Sequence, residues 1–433
     1  MTQQARRVRT RLLAATALPV VTALALAACS SGGGTDSGSS KEPQTISLSY
    51  MIANNATSPY EVLAKKYEST HKGVTIKLTA TSVDSYGQTI TTQLQAGNGP
   101  DVFQVQGGTG QVQGTVNLAK AGLLAPLTGK NIAATIPSGQ ENLFTYKGKQ
   151  YEMPVELLPT GLIYNDVAAK ADGVTLTASS TLQDMYKACT TARSKGHALF
   201  ALAGSISQNT GIVAVAIAIS QVYGKEPNFN ADRASGKTTF AADKYWKATL
   251  QTIVDMKDKG CFQDGAAGAG FDALTNGVGS LNATSYAFTA PVGAVADLEN
   301  TVPGLKLEVM PFWAPKGEKT RMIVTADDGL AINAKTKSPK LTQDFLNWMA
   351  EPAQASLFAK TSGDLPIVGT NALLPQYEPV KNIIDDKSLI GPFPYSDWPN
   401  GQVYDALGTG VTGLLTGQAT VDQVLQSMDQ AWG

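Results

Sequence analysis

Apolar and polar positions alternate along the chain in a repeating order of short strands and helices. Thr45 to Met51 alternates with period two, putting Ile46, Leu48 and Tyr50 on one face of a strand. Ser58-Pro59-Tyr60-Glu61 reads as a capping box with Pro at the first helical position. The helix it opens carries Tyr60, Leu63, Ala64 and Tyr67 on one face and stops near Gly73. Val74, Ile76 and Leu78 predict a second strand. A polar loop from Thr81 to Gly87 follows, then a helix with Ile90 and Leu94 aligned, ended by Gly97-Asn98-Gly99-Pro100. Asp101 to Val105 is a third strand, running into Gly107-Gly108. Strand, helix, strand, helix, strand at this spacing predicts an open α/β sheet with right-handed crossovers. Ligands of such sheets sit outside the carboxyl ends of the strands, which points to residues 53–55, 82–85 and 106–108. Asn55, Asp84 and Gln106 are the candidate side chains there.

Further on, Ser180-Thr181-Leu182-Gln183 reads as a second capping box, with Leu182, Met185, Tyr186 and Cys189 on one helix face. Trp246, Leu250, Ile253, Val254 and Lys257 fall at helical spacing, with Gly260 as the stop and Cys261 just beyond. The last helix has Val421, Val424, Leu425, Met428 and Trp432 on one face. A chain of 433 residues is too long for one simple core, so two lobes are expected. Lys+Arg 34 against Asp+Glu 35 is balanced, which gives nucleic acid no electrostatic footing. Only His71 and His197 occur, which argues against a His-based metal site or a Ser-His triad; no metal or cofactor is expected.

The amino end has a different pattern. Arg6, Arg7, Arg9 and Arg11 precede an uncharged apolar run from Leu12 to Ala28, which ends in Leu26-Ala27-Ala28-Cys29. A basic start, a short apolar middle and small residues before a cut site predict a signal peptide over 1–28. Leu-Ala-Ala-Cys resembles the bacterial lipobox, whose Cys takes a diacylglyceryl group and begins the mature chain. That implies a lipid on Cys29, residues 29–44 as a tether, and a domain at the outer face of a cell membrane. If an outer membrane exists, this is its periplasmic side. With Cys29 lipidated, Cys189 and Cys261 remain. In an oxidising compartment one disulfide is the natural reading, with two separate buried thiols as the alternative.

Several stretches, in order, resemble the sugar-binding (maltose-binding-like) class of bacterial extracellular solute-binding proteins. Tyr86-Gly87-Gln88 through Gln95-Ala96-Gly97-Asn98-Gly99-Pro100-Asp101-Val102 looks like its helix-to-strand signature, and Ala121 to Leu127 like a turn of the same family. Tyr151-Glu152-Met153-Pro154 with Gly161 to Asn165 resembles the first crossing between lobes. Asp327 to Ile332 resembles the re-entry strand and Phe345 to Met349 the helix after it. Gly363-Asp364-Leu365-Pro366 and Gly417 to Asp422 complete the set. The resemblance implies a type II periplasmic-binding-protein-like fold, two α/β lobes joined by a hinge. Its N-terminal lobe would comprise 45–157 and 321–378, and its C-terminal lobe 158–320 and 379–433. It further implies a monomeric, non-enzymatic component of an ABC importer that closes on a carbohydrate and presents it to the permease transmembrane subunits. A polyamine or peptide ligand, or a lipid-anchored glycoside hydrolase, are the alternatives; a hydrolase needs two carboxylates about 5–9.5 Å apart.

A sugar cleft needs carboxylates and amides for hydroxyls and aromatic rings for C–H faces. Trp398, in the aperiodic loop Pro394-Tyr395-Ser396-Asp397-Trp398-Pro399, is the expected stacking platform, or else a lobe-packing anchor. Trp313 is open to both readings, and Tyr404 matches the family's C-terminal aromatic position. Glu156, flanked by Val155, Leu157 and Leu158, wants a partner, either a ligand hydroxyl or a structural cation. Of Asp327 and Asp328, one is expected to turn the backbone and the other to face the cleft. Residues 277–287 resemble a family segment that delivers side chains to the cleft, which nominates Ser285 and Tyr286.

Overall fold

The computed structural model describes residues 44–52, 58–369 and 373–433. These belong to one compact unit running from Glu42 to Gly433. Asn55 and Cys29 lie outside the described residues, as do the leader and all of the tether except Gln44.

Two main sheets organise the chain. The first has strands Thr75–Ser82, Thr45–Ile52, Val102–Gln106, Asp328–Asn333 and Leu124–Ala125 in that spatial order, with Met153–Pro154 also pairing with Asp328–Asn333. Its first three strands are parallel, and Asp328–Asn333 then adds antiparallel. Ile46, Leu48 and Tyr50 bury on one face, as their alternation predicts. Helix Pro59–Thr70 covers them with Tyr60, Leu63, Ala64 and Tyr67. Ser58 caps that helix through the Tyr60 N–H, but Glu61 does not complete a box, because it accepts from the Tyr50 hydroxyl instead. The expected polar loop after the second strand is nearly absent: the strand runs to Ser82 and helix Val83–Ala96 starts at once.

In the second sheet the order is Ile390–Gly391, Met322–Thr325, Glu156–Tyr164, Ser285–Pro291 and Ala198–Phe200. Glu308–Met310 and Leu365–Pro366 also pair with the long strand Glu156–Tyr164. Beneath it the uncharged helix Ser207–Gln221 is buried on nearly every side, as its unbroken apolar run requires. The capping box of helix Leu182–Ser194 is made by Thr181 and Asp184, one residue later than the expected pair. Cys189 on that helix and Cys261 after helix Lys244–Asp258 form a disulfide, with S–S 2.08 Å and Cα–Cα 4.7 Å. Closing this loop stabilises the fold by about 4 kcal/mol in the chain-entropy model. A Cys189→Ser, Cys261→Ser double variant is therefore expected to unfold at lower urea by a corresponding amount, read from equilibrium denaturation.

The chain crosses between the sheets three times. Pro154 pairs in the first and Glu156 in the second; Thr325 pairs in the second and Asp328 in the first. Helix Pro352–Ser362 packs on helix Pro59–Thr70 by Phe358 and Tyr60, and Leu365 then joins the second sheet. The lobe limits expected from sequence therefore need correction at two places. Met322–Thr325 is a strand of the second sheet, and Tyr377, Val380, Ile383 and Ile384 bury together with Met322 and Leu365 on the second sheet's side.

Candidate functional site at the lobe junction

Strand Val102–Gln106 ends where the returning strand begins, so the register itself sets Gln106 opposite Asp328. The Gln106 amide nitrogen donates to Asp327 Oδ2 at 2.9 Å, and its oxygen accepts from Gln113 Nε2 at 2.7 Å. The Gly107 N–H donates to the Asp327 carbonyl at 3.0 Å. From the other lobe the Tyr395 hydroxyl lies close enough to Asp327 for each to shift the other's titration. Tyr395 packs against Tyr404 with ring centroids 4.7 Å apart, and the Tyr404 hydroxyl donates to the Gln208 carbonyl at 2.9 Å. The lobes also meet where Thr109 N–H and hydroxyl donate to the Ser396 and Trp398 carbonyls, and where the Asn142 amide donates to Asp397.

Five carboxyl groups converge on these crossings: Glu152, Glu156, Asp327, Asp328 and Asp364. None of the ion pairs among the described residues involves one of them. Burial pushes Glu156 up to about 8; the Ser362 hydroxyl, which donates to its Oε2, opposes this and the Asp328 charge adds to it. Asp328 rises to about 6 by burial, partly offset by the Gln104 and Gln106 amides. Asp327 lies well above the usual carboxyl range, first through burial and then through Asp328. Asp364 is raised by burial, Glu156 and Asp328, against the Tyr377 hydroxyl and the Gly293 N–H. Glu152 is raised by burial despite the Thr115 hydroxyl on its Oε2. It sits so close to the returning strand that a Cβ on Gly329 would lie 2.3 Å from its Oε1, so only glycine fits there. Oδ1 of Asp328 and Oε1 of Glu152 are buried without a hydrogen-bond partner among the described groups.

The arrangement is a junction between lobes, at the carboxyl ends of first-lobe strands, rich in amides and in buried carboxyl groups whose pKa is raised. Such groups suit a ligand that both donates and accepts hydrogen bonds. The sequence profile of the bacterial extracellular solute-binding proteins matches residues 53–356. The chain belongs to that family. A multiple sugar-binding protein of Streptococcus mutans is 24% identical over 334 residues, which is 76% of each chain. Among solved structures, one from work on xylan utilisation by Caldanaerobius polysaccharolyticus superposes with a TM-score of 0.73 at 19% identity, covering 89% of this chain and 99% of the other. The solute-binding protein RafE in complex with raffinose gives 0.71 at 19% identity, covering 90% and 98%. The fold is thus the two-lobed solute-binding one, and the family is one of binding proteins, not of enzymes.

In this solute-binding protein the residues nominated from sequence fall into two groups. Gln106, Asp327, Asp328, Glu156 and Tyr404 lie in or directly beside the junction network. Asp84 stands in the first turn after strand Thr75–Ser82, at a carboxyl end, though its side chain lies outside the described residues. The others lie elsewhere. Trp398 is fully buried against Phe240 and Trp246, and its indole N–H donates to Asn230 Oδ1, so it is a packing anchor rather than an exposed platform. Trp313 is also core, its indole N–H taken by the Thr177 carbonyl at 2.7 Å. Ser285 and Tyr286 begin a strand that runs antiparallel to Glu156–Tyr164, so they sit at the end away from the crossings. Tyr286 donates to Asp172 and meets His197 Nδ1 there. Sequence reading missed Gln113, Tyr395, Glu152 and Asp364 as members of the network. For Glu152 and Asp364 a signal existed, since both stand in stretches that carry the family resemblance.

Proposed function

We propose that this protein is the lipid-anchored, extracellular sugar-binding component of an ABC importer. The observation that carries this is the convergence of all three crossings on the hydrogen-bonding network at the carboxyl ends of the first-lobe strands. A ligand held there touches both lobes at their hinge. The two lobes close on a mono- or oligosaccharide, driven by its greater affinity for the closed arrangement. The permease subunits then receive it from the closed form. Relatives named for multiple sugars and bound to raffinose support a carbohydrate as the ligand class. Cys29 within Leu-Ala-Ala-Cys supports the anchor: lipidation there would hold the protein at the outer face of the cell membrane, and Cys29→Ala should release it into the medium.

A thermal-shift screen of the purified protein against mono- and oligosaccharides, with amino acids, peptides and polyamines as controls, tests the ligand class. A ligand at a hundred times its dissociation constant adds about 2.7 kcal/mol of stability. Stabilisation by one sugar class is the expected result. The buried carboxyl cluster, to which no ion pair among the described residues supplies a cation, gives a second reading, a cationic amine ligand, which silence from every sugar and a response to a polyamine would establish.

A further inference from the structure

A sugar cleft requires an apolar face as well as hydrogen bonds, and with Trp398 in the core that face must come from elsewhere. The large apolar side chains exposed among the described residues are Val83, Val112, Val167, Phe271 and Leu281; Phe271, 43% exposed, is the aromatic one. It directly precedes helix Asp272–Val278, in which Leu274 and Val278 are buried. Positions 271, 274 and 278 share one helix face, so Phe271 continues an apolar stripe past the edge of the core it belongs to.

The edge it overhangs faces the lobe junction. Strands Ala198–Phe200 and Ser285–Pro291 run parallel, and the second ends with Pro291 opposite Thr160, close to the crossing at Glu156. The segment after Phe200 follows the same direction to Ser205. There the Ser205 N–H and hydroxyl both donate to the Ala269 carbonyl, at 3.1 and 2.8 Å, two residues before Phe271. Three residues beyond Ser205, the Gln208 carbonyl accepts from Tyr404, whose ring packs on Tyr395, itself beside Asp327. Val83 and Val112, both about half exposed, follow the carboxyl ends of strands Thr75–Ser82 and Val102–Gln106 in the first lobe.

We propose that Phe271 is the second lobe's stacking platform, packing on the C–H face of a sugar ring whose hydroxyls meet the junction's polar groups. Val83 and Val112 are the apolar rim on the first-lobe side. This inference rests on the carbohydrate reading above. An aromatic left in water at the end of a buried stripe is complementary to a ring that arrives with the ligand.

The test is calorimetric titration of the purified protein with raffinose, stachyose, maltotriose and chitotriose, repeated on F271A and F271W. The expected result is at least tenfold weaker binding by F271A, binding by F271W within threefold of the unsubstituted protein, and a sugar-dependent change in the added indole emission of F271W. Equal melting temperatures would show that F271A folds. Should F271A misfold, F271W decides alone, because an emission indifferent to sugar overturns the assignment. Unchanged affinity in F271A overturns the role of Phe271 and leaves the carbohydrate reading intact. Absence of binding to any of these and other sugars by the unsubstituted protein overturns both.

Discussion

Replacing Trp398 by Ala is expected to destabilise the protein by about 3–5 kcal/mol, the range for truncating a buried large aromatic. The ring is fully enclosed, with Phe240 at 5.6 Å and Trp246 at 6.2 Å between centroids, and its N–H has a partner in Asn230. Truncation leaves a cavity in the second lobe's core, and this dominates: Asn230 Oδ1 loses the indole N–H but keeps the Tyr223 hydroxyl as a donor at 2.8 Å. Urea denaturation of W398A measures it directly. W398F, which retains most of the volume, should recover a large part of the loss. A W398A protein as stable as the original but unable to bind sugar would restore Trp398 to the cleft and refute its assignment to the core.

The second large effect is on pH. In the folded protein Glu156 titrates near 8 and Asp328 near 6, and Glu152, Asp327 and Asp364 are also raised. Unfolding returns all five to the ordinary carboxyl range of about 4, so the native state holds more protons between those values. Their contribution is fully present below pH 4 and is lost as pH rises through 6 and 8. Asp172, Asp184 and Asp386 act oppositely, being held low by hydrogen bonds, so their contribution is lost as pH falls below 4. The melting temperature should therefore peak in mildly acidic buffer and fall toward pH 9. E156Q keeps the shape of the side chain without its titration, and should flatten the fall between pH 6 and 9. A melting temperature that rises steadily from pH 5 to 9 would contradict the upward shift of these carboxyl groups.

Local periodicity made the first-lobe elements legible. Ile46, Leu48 and Tyr50 alternate, and Tyr60, Leu63, Ala64 and Tyr67 repeat at helical spacing, because each set faces one core. Met322 to Thr325 lacked that signal: with both faces buried the strand has no alternation, and its pairing partner lies far back in the chain. Trp398 stood between two readings, platform or packing anchor, for a related reason, since an aperiodic loop carries no information about which way a ring points. Within the site, Gln106 followed from the strand-end rule, but Tyr395 and Gln113 are defined by contacts across the lobe junction. Ser285 and Tyr286 show the limit of carrying a motif by resemblance: the strand direction puts its first residues at the wrong end.

The returning strand also constrains how the protein is made. Asp328–Asn333 lies between Val102–Gln106 and Leu124–Ala125, so it is an interior strand of a sheet whose other members are mostly finished some 200 residues earlier. Gln106 and Asp327, bonded in the finished structure, are separated by 221 positions. During synthesis the amino-terminal half therefore emerges with an open sheet edge and must wait for that strand. Contacts of such separation slow folding and prolong the lifetime of incomplete states. The first lobe is the part of the protein that begins earliest on the ribosome and cannot close until three-quarters of the chain has been made.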